Sequence, residues 1–127
     1  MKKKSKSTED YLESILIIRE KQGYVRSIDV AKELNVSKPS VSVAMKKLRE
    51  EKMISMDAEG NIKLLKAGRQ IAENVYAKHQ LLIKALMKVG VDRETAEEEA
   101  CLIEHVISDK TYQLIDAHLN KKKTAKK

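Results

Sequence analysis

Three side chains with metal-binding chemistry lie close together near the end of the 127-residue sequence. Cys101, Glu104 and His105 are spaced i, i+3 and i+4, so one turn of helix would present all three on one face. A thiolate, a carboxylate and an imidazole together suit a divalent transition metal such as iron, cobalt, nickel or zinc. The segment therefore indicates a metal site, although a cysteine in this position could also be a small hydrophobe.

Further candidate ligands lie on two other predicted helices. Asp10 and Glu13 are spaced i, i+3, and their hard oxygens would also suit manganese. His79 lies in the middle of an apolar stripe. A carboxylate pair on a helix is usually solvated, and a histidine on an apolar face is more often a hydrogen-bonded core residue than a ligand. Spacing alone therefore leaves both the metal site and these structural interpretations open.

The elements that would position these side chains are mostly helices. Apolar periodicity and capping residues predict helices over residues 8–22, 28–34, 38–51, 66–89, 93–107 and 109–119. Ser27, Ser37 and Asp92 are the predicted caps of the second, third and fifth helices. Residues 53–65 contain two short β-prone runs around a Gly-containing turn, which predicts a hairpin. The basic run 121–127 is expected to be a solvated tail.

The order of helix, short turn, capped helix and hairpin is typical of a winged helix-turn-helix. The third helix would expose hydroxyls and lysines, which reach phosphates and base edges without steric bulk. The exposed N-terminal half of this helix has no Arg, Asn or Gln, so bidentate base contacts are missing, and the wing tip at 57–61 is acidic. The residues predicted to contact DNA are Ser37, Lys38, Pro39, Ser40, Ser42, Lys46 and Lys47.

The composition supports a duplex DNA partner. Lys and Arg number 26 against 19 Asp and Glu, a net charge of +7 that favours a polyanion. Four Tyr with no Trp or Phe supply few stacking platforms for single strands or RNA. One Cys cannot form an internal disulfide, so we expect a reducing, cytoplasmic location. No apolar run is long enough to predict a membrane span.

Five segments together resemble the metal-dependent repressors related to the diphtheria toxin repressor and the manganese transport regulator. They are TEDYLESI on the first predicted helix, VSKPSVS on the third, LLKAGR after the wing, YAKHQLL on the fourth helix and ACLIEHVIS on the fifth. The resemblance covers residues 8–119 and is most specific in the last segment. It implies a mainly α fold, with a winged helix-turn-helix domain and a small hairpin wing followed by a helical dimerisation domain.

The resemblance also implies the ligand set. Asp10 and Glu13 match first-helix ligands of the manganese-type members, His79 matches the histidine of the long helix, and Glu104 and His105 match the paired ligands of the fifth helix. Cys101 instead matches the iron type, where a methionine replaces Asp10, so the site would be a hybrid. A second, ancillary site is an open question. Ile83 stands where iron-type members carry a carboxylate, and Glu97 falls at another ancillary position.

By this resemblance we expect a DNA-binding domain over 1–70, a metal-binding and dimerisation domain over 71–120 and a basic tail over 121–127, the short two-domain form without an SH3-like extension. A homodimer would bind double-stranded operator DNA when Fe²⁺ or Mn²⁺ is bound, with Co²⁺, Ni²⁺ or Zn²⁺ acting in vitro, and would repress metal-uptake genes. A metal-independent winged-helix DNA-binding protein is the main alternative. An open iron enzyme would use the same ligands but needs a substrate pocket that the second domain has little room to supply.

Overall fold

The computed structural model describes the backbone of residues 6–125 and the side chains of residues 6–120. The chain divides into two compact units, 1–74 and 75–127. The order of elements is α1 (Lys6–Gln22), α2 (Ser27–Leu34), α3 (Lys38–Glu50), β1 (Ile54–Met56), β2 (Ile62–Leu64), α4 (Lys66–Lys88), α5 (Arg93–Ile103) and α6 (Asp109–Ala125). The mainly helical fold with a two-stranded hairpin agrees with the sequence-based prediction. Within the described helices, no segment is long and apolar enough to cross a bilayer.

The first unit is a three-helix cluster closed by the hairpin. Its core is built from fully buried residues of all three helices, among them Leu12 and Ile15 of α1, Val30 of α2 and Val41 of α3. The strands pair antiparallel, with Ser55 opposite Lys63. Burying these apolar residues from helices adjacent in sequence fixes the angle between α2 and α3, which is what a helix-turn-helix requires.

Two of the three predicted caps are confirmed. The Oγ of Ser37 accepts a hydrogen bond from the Ser40 N–H at 3.2 Å, which caps α3 one residue before Lys38 and with Pro39 in the first turn. Asp92 accepts from the N–H of Thr95 at 3.0 Å and caps α5. The prediction that Ser27 caps α2 was wrong. That helix begins at Ser27, because the Arg26 N–H donates to the Asp29 carboxylate at 2.9 Å and makes Arg26 the cap.

The hairpin is held by backbone contacts at its base and by one carboxylate at its tip. The N–H of Ile62 donates to the Val25 carbonyl at 2.8 Å, and the Arg19 guanidinium donates to the Ile62 carbonyl at 3.2 Å. At the tip, the carboxylate of Asp57 accepts from the N–H groups of Glu59 and Asn61, both at 2.9 Å. The Asn61 hydrogen bond lowers the pKa of Asp57 below its ordinary value, so the wing tip stays acidic.

The second unit contains the rest of α4 followed by α5 and α6, and two of its boundaries differ from the predictions. The fifth helix was expected to continue to residue 107 but ends at Ile103. A turn that contains Glu104 and His105 connects it to α6. The sixth helix begins with Ser108 as cap, since the Thr111 N–H donates to its Oγ at 3.1 Å. This helix continues to Ala125, beyond its predicted end near residue 119, and the solvated basic tail over 121–127 stays a prediction. Residues 126 and 127 lie outside the described part of the chain.

Candidate metal centre and DNA-binding surface

The most buried acidic group among the described side chains is the carboxylate of Glu104, whose side chain is fully buried. Its Oε1 lies 2.7 Å from Nδ1 of His79, and its Oε2 lies 3.4 Å from Nε2 of His105. The side chain of His105 is only 3% exposed, and the ring of Tyr76 stacks beside the half-buried His79. Two imidazoles therefore converge on one buried carboxylate, a donor set that suits a first-row divalent metal.

The three residues come from two elements of the second unit. His79 projects from α4, while Glu104 and His105 lie in the turn directly after α5. The backbone of that turn stays close to helical, because the N–H of Glu104 still donates to the Ala100 carbonyl at 2.9 Å. Glu104 and His105 are consecutive residues of this turn, and both side chains are buried.

Lys78 fixes this turn against α4. The side chain of this lysine is 6% exposed, and its Nζ lies 3.1 Å from the carboxylate of Asp109 and 3.3 Å from the carbonyl oxygen of Ile107. A buried ammonium is costly unless it is paired and hydrogen-bonded, as it is here. Lys78 thus ties the start of α6 to the helix that carries His79. Sequence analysis missed this residue, although a lysine at the spacing of the buried Val75 and Leu82 was a readable signal.

Cys101 and Glu97 differ from this buried cluster because both are exposed. The Cys101 side chain is exposed, whereas Glu104, with which it was expected to share a helical face, is buried. Glu97 is exposed on α5 and accepts a hydrogen bond from Arg93 at 2.9 Å. Ligation by Cys101 and a second site using Glu97 remain predictions.

Asp10 and Glu13 lie on α1 in the first unit. Each offers a carboxylate oxygen, and the two oxygens lie within 4.8 Å of one another. Glu13 is 7% exposed, whereas Asp10 is partly exposed and receives the Lys6 ammonium at 2.8 Å. An exposed i, i+4 ion pair is worth only about 0.3–0.5 kcal/mol, so a dication could replace Lys6 at low cost.

The outward face of α3 carries the predicted DNA-contacting residues. All seven are exposed: Ser37, Lys38, Pro39, Ser40, Ser42, Lys46 and Lys47. Buried Val41, Met45 and Leu48 anchor the opposite face. Ser37 has a structural role as well, since its hydroxyl caps the helix and contacts the Ser40 hydroxyl at 2.9 Å. The face also presents an exposed apolar residue, Val43, which sequence analysis did not single out.

Comparison with known proteins bears on both the buried cluster around Glu104 and the exposed face of α3. A family model described as the N-terminal DNA-binding domain of the iron-dependent repressors matches residues 3–58, and one described as their metal-binding and dimerisation domain matches residues 65–126. The chain belongs to the iron-dependent repressor family. That family consists of metal-dependent, DNA-binding transcriptional regulators rather than enzymes, so membership supports this function over the metal-independent alternative.

Individual members of the iron-dependent repressor family resemble the chain over most of its length. An HTH-type transcriptional regulator of Methanocaldococcus jannaschii is 33% identical over 119 residues, which is 92% of this chain and 95% of that protein. The HTH-type transcriptional regulator MntR of Geobacillus kaustophilus is 33% identical over 102 residues, which is 80% of this chain and 72% of MntR.

Solved structures of family members share the fold. A manganese-dependent transcriptional repressor in complex with manganese matches with a TM-score of 0.82 and 30% identity, over 89% of this chain and 52% of that one. IdeR of T. acidophilum matches with a TM-score of 0.78 and 26% identity, over 94% of this chain and 56% of that one. The chain thus spans about half the length of these solved structures.

Proposed function

We propose that the chain is a repressor of metal-uptake genes, which binds operator DNA as a homodimer in the cytoplasm when Fe²⁺ or Mn²⁺ is bound. The observation that carries this proposal is the buried carboxylate of Glu104 between the imidazoles of His79 and His105. Such a cluster has no role in contacting DNA, and its donors are those that a divalent transition metal prefers.

The proposed ligands come from both units. His79, Glu104 and His105 would hold the metal from the second unit, and Asp10 and Glu13 would complete the site from the first. Two features support the participation of the α1 pair. The two carboxylates offer oxygens within 4.8 Å of one another, and Glu13 is largely buried, as is usual for a ligand in a protein interior.

The bound metal would supply positive charge that turns repulsion between these acids into a link between the units. Without it, Asp10, Glu13 and Glu104 are like charges. With it, α1 of the DNA-binding unit would be tied to the metal-binding unit, which would fix the separation of the two recognition helices in a dimer. That separation has to be near 34 Å, one turn of DNA, or a multiple. Coupling of about 1–3 kcal/mol would raise operator affinity roughly 5- to 150-fold.

The preference of the site for one metal over another would depend on whether its ligands are soft sulfur or hard oxygen donors. A thiolate from Cys101 would favour iron, cobalt or zinc over manganese, whereas the α1 carboxylates suit manganese. Cys101 is exposed in the structure, so its contribution can be tested directly. If Cys101 is a ligand, Cys101→Glu shifts metal-dependent DNA binding toward Mn²⁺. An unchanged ratio of Mn²⁺ to Fe²⁺ activation would contradict that role.

The main experiment measures DNA binding by gel shift with genomic fragments, with Mn²⁺ or Fe²⁺ added or chelated. We expect operator binding only with metal, and loss of the metal response in Glu104→Ala and His105→Ala. Glu98→Ala is the matched control, because Glu98 is an exposed carboxylate on α5. Equal operator affinity with and without metal would overturn the proposal, as would a normal metal response in both ligand variants.

A further inference from the structure

The outward face of α3 carries an apolar side chain near its middle. Val43 is 71% exposed. At about 100° per residue it points almost directly away from the core residue Val41. Its helical neighbours at i−4, i−3, i+3 and i+4 are Pro39, Ser40, Lys46 and Lys47, all of them exposed and all predicted to contact DNA. Val43 is therefore an apolar side chain at the centre of the basic recognition face.

Folding does not explain a valine at this position. The exposed side chain contributes little hydrophobic burial to the first unit. A β-branched residue also has lower helix propensity than Lys, Arg, Glu or Ala. Single exposed apolar residues are common on protein surfaces, but this one lies where a recognition helix meets the floor of the major groove.

We propose that Val43 determines sequence specificity by packing against the 5-methyl group of a thymine in the major groove. This inference rests on the proposed function, in which α3 enters that groove. The thymine methyl is the apolar group that base edges present there. Apart from the ring of Pro39 near the start of the helix, the neighbouring side chains on the face end in hydroxyl or ammonium groups, and the N-terminal half of α3 has no Arg, Asn or Gln for bidentate contacts. An apolar contact is thus the most discriminating one that the centre of this face offers.

The size of the effect follows from the burial of one methyl group. Removing a buried methyl from a contact with Val43 should weaken binding about fourfold for each thymine read. Lys46 behaves differently, because an ammonium that binds phosphate contributes equally to every sequence. Loss of Lys46 should therefore lower affinity for all duplexes and reduce the salt dependence.

The test uses the full chain loaded with Mn²⁺ and a duplex selected by it from random sequences. Each thymine of that duplex is replaced singly by deoxyuridine, which removes only the methyl group, and affinities are measured for the native protein, Val43→Ala and Lys46→Ala. We expect one or more positions at which the native protein and Lys46→Ala lose about fourfold and Val43→Ala loses nothing further. Thermal unfolding of Val43→Ala checks that the fold is retained, as expected when alanine replaces valine on an exposed helical face.

Three results distinguish failure of this inference from failure of the proposed function. If the native protein binds every deoxyuridine duplex as tightly as the thymine duplex, Val43 does not read a methyl group. If Val43→Ala keeps the full preference for thymine, another residue or the shape of the DNA reads it. Either result overturns the inference while metal-dependent binding stands. If no duplex is selected with Mn²⁺ or with Fe²⁺, the proposed function fails and the inference fails with it.

Discussion

Replacing Glu104 by Gln should change stability in opposite directions with and without metal. Glutamine keeps the shape of the side chain and an oxygen that can accept from Nδ1 of His79, 2.7 Å away. It removes a negative charge from a fully buried position. Within the described residues, Oε2 of Glu104 has no hydrogen-bond donor. A buried polar group left without a partner costs about 1–3 kcal/mol, and more when it is charged.

The variant should therefore be more stable than the native protein when metal is chelated. A gain of about 1–3 kcal/mol corresponds to a rise in Tm of roughly 4–12 °C for a chain of this size. The native protein should gain about 2.7 kcal/mol when Mn²⁺ is present at 100 times its Kd, and Glu104→Gln should gain almost nothing. The two thermal curves would thus exchange order when metal is added.

The assay is thermal unfolding followed by circular dichroism, with EDTA or with Mn²⁺, at pH 8. Glu98→Gln is the control, since its exposed side chain should leave both curves unchanged. Two outcomes would refute the reasoning: a Glu104→Gln variant less stable than the native protein in EDTA, or one stabilised by Mn²⁺ to the native extent.

Three further predictions concern the groups that support the site and the fold. Gly68→Ala should destabilise the first unit by about 1–3 kcal/mol in urea unfolding, because the added Cβ would lie within 3.0 Å of the carbonyl carbon of Met53; a stabilised variant would show that helix propensity wins. Lys78→Met should weaken Mn²⁺ binding by about tenfold in calorimetry, since the turn after Glu104 loses its anchor on α4; native affinity would contradict this. Asp92→Ala should lower the free energy of unfolding at pH 7. The Thr95 hydrogen bond lowers the pKa of Asp92 below 3.8, so this loss of stability should shrink as the pH falls beneath that value. If urea unfolding shows the same loss at every pH, the charge of the capping carboxylate does not stabilise the helix.

Local signals in the sequence were sufficient for most of the fold. Ser37 and Asp92 cap their helices as predicted, because capping depends on one side chain and the N–H group three residues later. The cap of α2 was misassigned because the Arg26 N–H donates a hydrogen bond to the carboxylate of Asp29. The sequence alone does not distinguish this arrangement from capping by Ser27. Helix ends proved less predictable than helix starts, as the early end of α5 at Ile103 demonstrates.

The candidate site was predictable in composition but not in geometry. The types and spacing of His79, Glu104 and His105 identified them as candidates, and the structure brings these three together. Which side of a helix faces the interior depends on tertiary packing, so the spacing could not predict that Cys101 is exposed while Glu104 is buried. Lys78 was passed over for a similar reason, because its partner is a backbone carbonyl 29 residues away in sequence.

The locked acidic turn of the wing has a consequence for the thermodynamics of DNA binding. Asp57 keeps its negative charge in this turn, so the hairpin tip cannot displace counterions from phosphates. The exposed lysines of α3, Lys38, Lys46 and Lys47, would then be the main source of counterion release. Three phosphates neutralised in each protomer are six in the homodimer, which corresponds to a slope of about −5.4 in a plot of log affinity against log salt concentration. The shape of the wing would therefore limit how much non-specific affinity accompanies recognition of the operator.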